Sequence, residues 1–192
     1  MSSSGLNIVR VFLFRIDDGD RRKFKAKAND TDSGGGPRDL RIRPEYQFWP
    51  FFERLLPERE DVARPRTGGL AEILVGKVCW SDGSRERTGR VEIWPHQNQR
   101  LNECRIAKVS QWGVDHLIED DPNGGLSVLM LFQQEDGVVR LFFTTETVLR
   151  TGNWDSTVKD FANKWLDKTS ANSRSPKSAF LDLQNSEIYT GD

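Results

Sequence analysis

Two short apolar runs, residues 125–133 (GLSVLMLFQ) and 138–144 (VVRLFFT), flank the turn residues Glu135-Asp136-Gly137. Both are rich in β-formers, and a glycine at the turn accepts the positive φ that a tight connection needs, so the pair predicts a β-hairpin. Similar runs recur along the chain. Residues 7–16 (NIVRVFLFRI), 69–80 (GLAEILVGKVCW) and 87–94 (RTGRVEIW) read as strands, the last two joined by the turn Ser81-Asp82-Gly83-Ser84. Residues 40–43 and 105–109 read as shorter strands, and 24–28 as a short exposed one after an Asp17-Asp18-Gly19-Asp20 turn. The expected fold is therefore mainly β, with about seven strands.

Two helices are expected beside them. Pro50 suits a first helical turn, so residues 50–56 form a short helix with Phe51, Phe52, Leu55 and Leu56 on one side, stopped by Pro57. It reads as a plug at one end of a β-barrel. Residues 154–165 place Trp154, Val158, Phe161, Ala162 and Trp165 at helical spacing, an amphipathic helix against the sheet. At 192 residues and 36% hydrophobic, the chain can bury one core, assigned to residues 1–168. Residues 169–192 begin Ser/Asn-rich and read as a linker or tail leading toward a further, catalytic domain; the apolar 180–183 is too short for a core.

The net charge is only −1, yet its distribution is uneven. Residues 1–110 carry 21 lysines and arginines against 16 acids, and residues 111–192 carry 7 against 13. Two loop-forming basic stretches lie in the first part: 21–43 (RRKFKAKANDTDSGGGPRDLRIR) and 97–108 (QNQRLNECRIAK). Each mixes cations with side chains able to read base edges, as two arms gripping a duplex would. Three consecutive glycines and Pro37 exclude regular structure over 32–37, which reads equally as an arm near a phosphate backbone or as a plain surface loop.

Competing chemistry is sparse. Two histidines and two cysteines in unrelated contexts give no metal-ligand motif. No phosphate-binding or dinucleotide fingerprint occurs. No lysine follows an acid by two positions, as in common metal-dependent nucleases, and His-x-Lys is missing. Asp120 and Asp121 read as turn residues. Cys79 reads as a buried small hydrophobe and Cys104 as facing solvent or DNA; with no disulfide pattern, signal peptide or apolar run near roughly 18 residues, a cytoplasmic protein without membrane association is expected.

Residues 27–57 (KANDTDSGGGPRDLRIRPEYQFWPFFERLLP) resemble the N-terminal domain of EcoRII-type restriction endonucleases, in which an Ala-Asn-Asp-Thr segment and a glycine-rich loop precede a strand, a proline and a short Leu/Phe-rich helix. Residues 101–106 (LNECRI) are similar to that family's recognition segment, and Trp112-Gly113 and the strand from 125 follow in the same order. The resemblance covers roughly residues 7–165. It implies a DNA-binding pseudobarrel with short helices at the barrel ends, similar to plant transcription-factor domains. Such a domain is a non-catalytic effector that binds a CC(A/T)GG-like site through two arms in the major groove and regulates a covalently linked nuclease domain. Mg²⁺ is then expected only in that separate domain, and no cofactor in this one. Leu101, Cys104, Pro37 and Ile42 depart from the pattern, which has basic or polar residues there; Arg38, Arg41 and Arg100 are nearby substitutes.

The resemblance gives Asn102, Glu103 and Arg105 as base readers. The chemistry fits: Asn pairs with adenine, a carboxylate accepts from cytosine N4, and a guanidinium donates to guanine O6 and N7. For Glu103 the competing reading is an ion pair with Arg100 or Arg105. Lys23, Lys25, Lys27 and Lys108 suit phosphates. Asn29, Arg38, Arg41, Arg43, Gln97, Gln99 and Arg100 complete the expected interface. Trp49, Trp94 and Trp112 are expected to buttress the arms. Alternatives are a standalone DNA-binding regulator, a small nuclease with unrecognised catalytic residues, or a domain whose loops bind an acidic protein.

Overall fold

The computed structural model describes residues 7–25, 39–64, 69–95, 102–169 and 176–191. In chain order the elements begin β1 (Ile8–Ile16), α1 (Asp18–Lys25), β2 (Leu40–Ile42), α2 (Glu45–Leu55), β3 (Glu58–Ala63) and β4 (Leu70–Ser81). Next come β5 (Glu86–Trp94), β6 (Cys104–Ala107), β7 (Ser127–Gln134) and β8 (Val139–Thr145). The last are α3 (Glu146–Thr151), α4 (Ser156–Lys168), β9 (Ser178–Asp182) and β10 (Glu187–Tyr189). Strands hold 42% of the described residues and helices 29%, so the chain is mainly β. No helix among the described residues is long and apolar enough to cross a membrane.

Two compact units divide the chain. The first comprises 1–17, 79–87 and 117–192. In it β10, β9, β1, β7 and β8 lie side by side in that order, and β1 is antiparallel to both β7 and β9. The expected hairpin is β7–β8, turning at Gly137 with φ 79°. The expected amphipathic helix is α4, which starts at the Asp155 cap: its side chain accepts from Thr157 N. Val158, Phe161, Ala162 and Trp165 pack on Val11, Leu13, Val128 and Met130, closing one face of the sheet. Asp121 does sit in a turn, and it also accepts from Thr147 N at 2.7 Å, at the start of α3.

The expected tail behaves otherwise. Residues 178–182 pair with β1 and are buried, including Phe180 and Leu181. Asp182, fully buried, accepts from Arg10 Nε at 3.1 Å and from Asn185 N and Nδ2 in the β9–β10 turn. The apolar piece that is too short for a core of its own adds to one built by a distant strand, so the expected boundary at 168 is corrected: 178–189 belong to the sheet.

The second unit comprises 18–78 and 88–116. Its strands run β2, β6, β5, β4, with β3 paired on β4. Residues 18–25 form α1 where a turn and the first residues of the exposed strand 24–28 were expected; 26–28 lie outside the described residues. Asp18 and Asp20 favour its N-terminus, Arg22, Lys23 and Lys25 its C-terminus, and Phe24 is buried with its ring 6.3 Å from Trp112. The predicted plug helix begins earlier, at Glu45, with Pro50 inside it. An interior proline costs about 3 kcal/mol. The longer helix adds Phe48 to Phe51, Phe52 and Leu55 on one buried face, which offsets that cost. The Gly76 Cα lies under Leu56: a Cβ there would stand 2.5 Å from Leu56 Cδ2. This close approach seats the end of α2 on β4.

Candidate nucleic-acid interface

The two basic stretches, far apart in sequence, end on adjacent strands. Leu40, Arg41 and Ile42 of β2 oppose Ile106, Arg105 and Cys104 of β6, and Trp94 of β5 opposes Arg105 on the other side. Directly opposed residues share a face and alternate residues share it too. Leu40, Ile42, Ile93, Cys104 and Ile106 therefore fill one buried face. Arg41, Arg43, Glu103, Arg105, Trp94, Glu92 and Arg90 take the other. Because β2 and β6 are antiparallel, Asp39 enters this ladder at one end and Glu103 at the other.

Buried carboxylates organise the cations. Glu103, only 2% exposed, accepts from Arg43 Nε at 3.0 Å and Nη2 at 2.5 Å, with Arg41 Nε at 3.5 Å from its other oxygen. The Arg41 and Arg43 side chains remain 35% and 65% exposed. Arg105, 13% exposed, donates to Asp39 Oδ2 at 3.0 Å, and its guanidinium carbon lies 5.8 Å from the Trp94 ring centre. Desolvation lowers its pKa, against the raising influence of Asp39 and Glu103. Asp39 also accepts from Lys108 N at 3.1 Å, holding a lysine in the left-handed region at φ 57°. Asn102 is left-handed as well, φ 67°, and its carbonyl accepts from Glu45 N at the start of α2.

A second hub lies on β5. Glu92, buried, accepts from Trp94 Nε1, Lys108 Nζ and Arg90 Nε at 3.0–3.1 Å. Burial alone would raise its pKa; those three donors bring it below the usual carboxylate value. Arg90 then forks onto Glu60 of β3, with Nη1–Oε1 2.9 Å and Nη2–Oε2 2.6 Å. Trp112 Nε1 donates to the Arg90 carbonyl at 2.9 Å.

Of the expected interface, this face gathers Arg41, Arg43, Glu103, Arg105 and Lys108, with Asn102 at its edge. Lys23 instead pairs with Asp20 on α1 at 2.7 Å, and Lys25 is exposed at the end of that helix. Lys27, Asn29, Arg38, Gln97, Gln99 and Arg100 lie outside the described residues. Comparison with protein-family models gives no match, nor does comparison with curated protein sequences.

That geometry changes two expectations and adds partners to a third. The carboxylate of Glu103 meets Arg41 and Arg43 across the ladder; Arg100, which the sequence offered beside Arg105, lies outside the described residues. Cys104, expected toward solvent or DNA, is fully buried, and desolvation pushes its thiol pKa up. Cys79 is half-buried, less enclosed than expected. Sequence reasoning passed over Asp39, Glu60, Arg90 and Glu92. The alternation Arg90-Val91-Glu92-Ile93-Trp94 carried a signal, since it sets Arg90 and Glu92 on the face of Trp94. Trp94 and Trp112 are buried and Trp49 is half-buried. Among the described residues, no group of three His, Cys, Asp or Glu side chains is placed to hold a metal ion.

Proposed function

We propose that the chain is a sequence-specific double-stranded DNA-binding module, an effector domain that serves a restriction endonuclease in the cytoplasm. One observation carries the reading: both basic stretches end on the β2–β6 ladder, where buried Glu103 braces the exposed guanidiniums of Arg41 and Arg43. A braced guanidinium retains free donors for a phosphate or for guanine O6 and N7, and has less rotamer freedom to lose on binding. Glu103 then acts by aiming these two arginines, and sequence discrimination passes chiefly to them. Lys108, fixed at its backbone by Asp39, suits phosphate contact. The motifs of 27–57 and 101–106, similar to those of EcoRII-type effector domains, favour a CC(A/T)GG-like site. The free thiols of Cys79 and Cys104 fit a reducing compartment.

The test is a mobility-shift titration with a CC(A/T)GG duplex and a scrambled duplex at two salt concentrations. Preference for the first supports the module; equal binding, or none, overturns sequence-specific recognition. A parallel incubation with plasmid DNA and Mg²⁺ separates binding from cleavage, since cleavage by the pure chain contradicts a non-catalytic role.

A further inference from the structure

We infer that Arg90 and Lys108 form a second phosphate clamp on the same face, with Glu60 occupying Arg90 in the free protein where a phosphodiester would sit. The inference rests on the DNA reading and extends the contact onto β5, which neither basic stretch includes. Three observations support it.

The first is the fork. Both outer nitrogens of Arg90 meet both oxygens of Glu60, the two-bond arrangement that a guanidinium also makes with a phosphate. Glu60 is a half-exposed side chain on β3, and Arg90 holds its pKa below the usual value. Nothing encloses it, so a phosphate that displaces it releases a carboxylate to water. Glu92, by contrast, is buried and keeps hold of Arg90 and Lys108 from below. One carboxylate is a fixed brace, the other a removable counter-ion.

The second is how firmly the cations are carried. Lys108 keeps a left-handed backbone that non-glycine residues rarely adopt, secured by Asp39. Arg90 is fixed through its carbonyl by Trp112 and through Nε by Glu92.

The third is spacing. Arg41, Arg105 and Trp94 form one cross-strand row; Arg43 lies two residues beyond Arg41, just past the end of β2, in one direction and Arg90 four residues along β5 in the other. At roughly 3.3 Å per residue, Arg43 and Arg90 are on the order of 20 Å apart along the strands. That exceeds the roughly 12 Å width of a major groove, so with Arg41 and Arg43 in the groove Arg90 falls at the backbone along its edge.

Fluorescence anisotropy with labelled CC(A/T)GG and scrambled duplexes tests this. The variants are Arg90→Ala, Lys108→Ala and Glu60→Gln, with Arg59→Ala as a control for loss of an exposed cation on β3; Arg59 pairs with Glu53 and Glu72. Arg90→Ala is expected to weaken both duplexes about tenfold and to reduce the slope of log K against log salt by about one, as loss of one phosphate contact does. Lys108→Ala behaves alike. Glu60→Gln, which removes only a half-exposed charge and so spares folding, tightens both duplexes several-fold. The clamp is overturned if Glu60→Gln leaves affinity unchanged or lowers it, or if Arg90→Ala in folded protein matches Arg59→Ala. Wild-type protein that binds no duplex overturns the DNA reading and the clamp together. If Arg43→Ala weakens binding while the Arg90 and Glu60 variants match the control, the clamp alone fails.

Discussion

Arg41 and Arg105 stand directly opposite each other on β2 and β6, two like charges in one cross-strand pair. Such a pair is destabilising unless each charge is answered. The answers come from different sides: Arg41 leans toward Glu103, and Arg105 turns to Asp39 and lies over Trp94. The pairing therefore separates two roles. Arg105 is built into the sheet, while Arg41 and its neighbour Arg43 keep solvent-exposed donors.

Replacing Glu103 by Gln removes the charge that Arg41 and Arg43 share. The loss of a charge-assisted hydrogen bond in a buried setting is expected to cost about 1–3 kcal/mol, toward the lower end because Arg41 and Arg43 are partly hydrated. Urea unfolding measures it. Unchanged stability would mean that Glu103 does not brace the ladder.

Phe180→Ala tests the C-terminal strands. Phe180 is 3% exposed and stacks on Tyr189 at 5.9 Å. Truncating a buried phenylalanine costs roughly 3–5 kcal/mol, and the half-open setting of β10 favours the smaller figure. Denaturation of a variant with wild-type stability would return 178–182 to the status of a linker.

What the sequence made legible was local. The β7–β8 hairpin, the α4 stripe and the β4 and β5 runs are each set by their own periodicity and turn residues, so reading them needed no partner. Helix α1 was missed because one buried apolar residue, Phe24, gives no period, and Asp-Asp-Gly-Asp reads as a turn when its helix-capping charge is not weighed. Strand β9 was missed because its burial is supplied by β1, more than 160 residues earlier. The candidate site divides likewise. Its arginines and Glu103 could be found as a basic loop with an unexplained anion. That Glu103 belongs to Arg43, 60 residues away, is decided only by the β2–β6 register.

Asp121 gives a pH dependence. Desolvation would raise its pKa, but hydrogen bonds from Thr147 N, Asn123 N, Thr147 Oγ1 and Gly125 N together hold it down at about 2, below the usual 3.8. A folded-state pKa below the unfolded one stabilises the fold above the unfolded value, and that stabilisation is lost as pH falls toward the folded one. Stability is thus expected to decline between about pH 4 and pH 2, with a shallower decline in Asp121→Asn. Parallel acid-unfolding curves for the two proteins would show that Asp121 plays no part.

Arg43→Ala and Arg105→Met should divide binding from stability. Arg43 is 65% exposed, and Glu103 retains Arg41 when it is lost, so folding should change little. On the proposed reading, affinity for the CC(A/T)GG duplex falls by about 1–3 kcal/mol and discrimination against the scrambled duplex narrows. Arg105→Met keeps an apolar stem over Trp94 but leaves buried Asp39 without its charged partner, although Lys108 N still donates to it. An unanswered carboxylate there is expected to cost about 1–3 kcal/mol of stability, while discrimination measured on folded protein is retained. Paired thermal melts and anisotropy titrations read both effects at once. If Arg105→Met keeps its melting temperature and loses discrimination, Arg105 is a base reader after all, and its contacts with Asp39 and Trp94 describe only the unbound state.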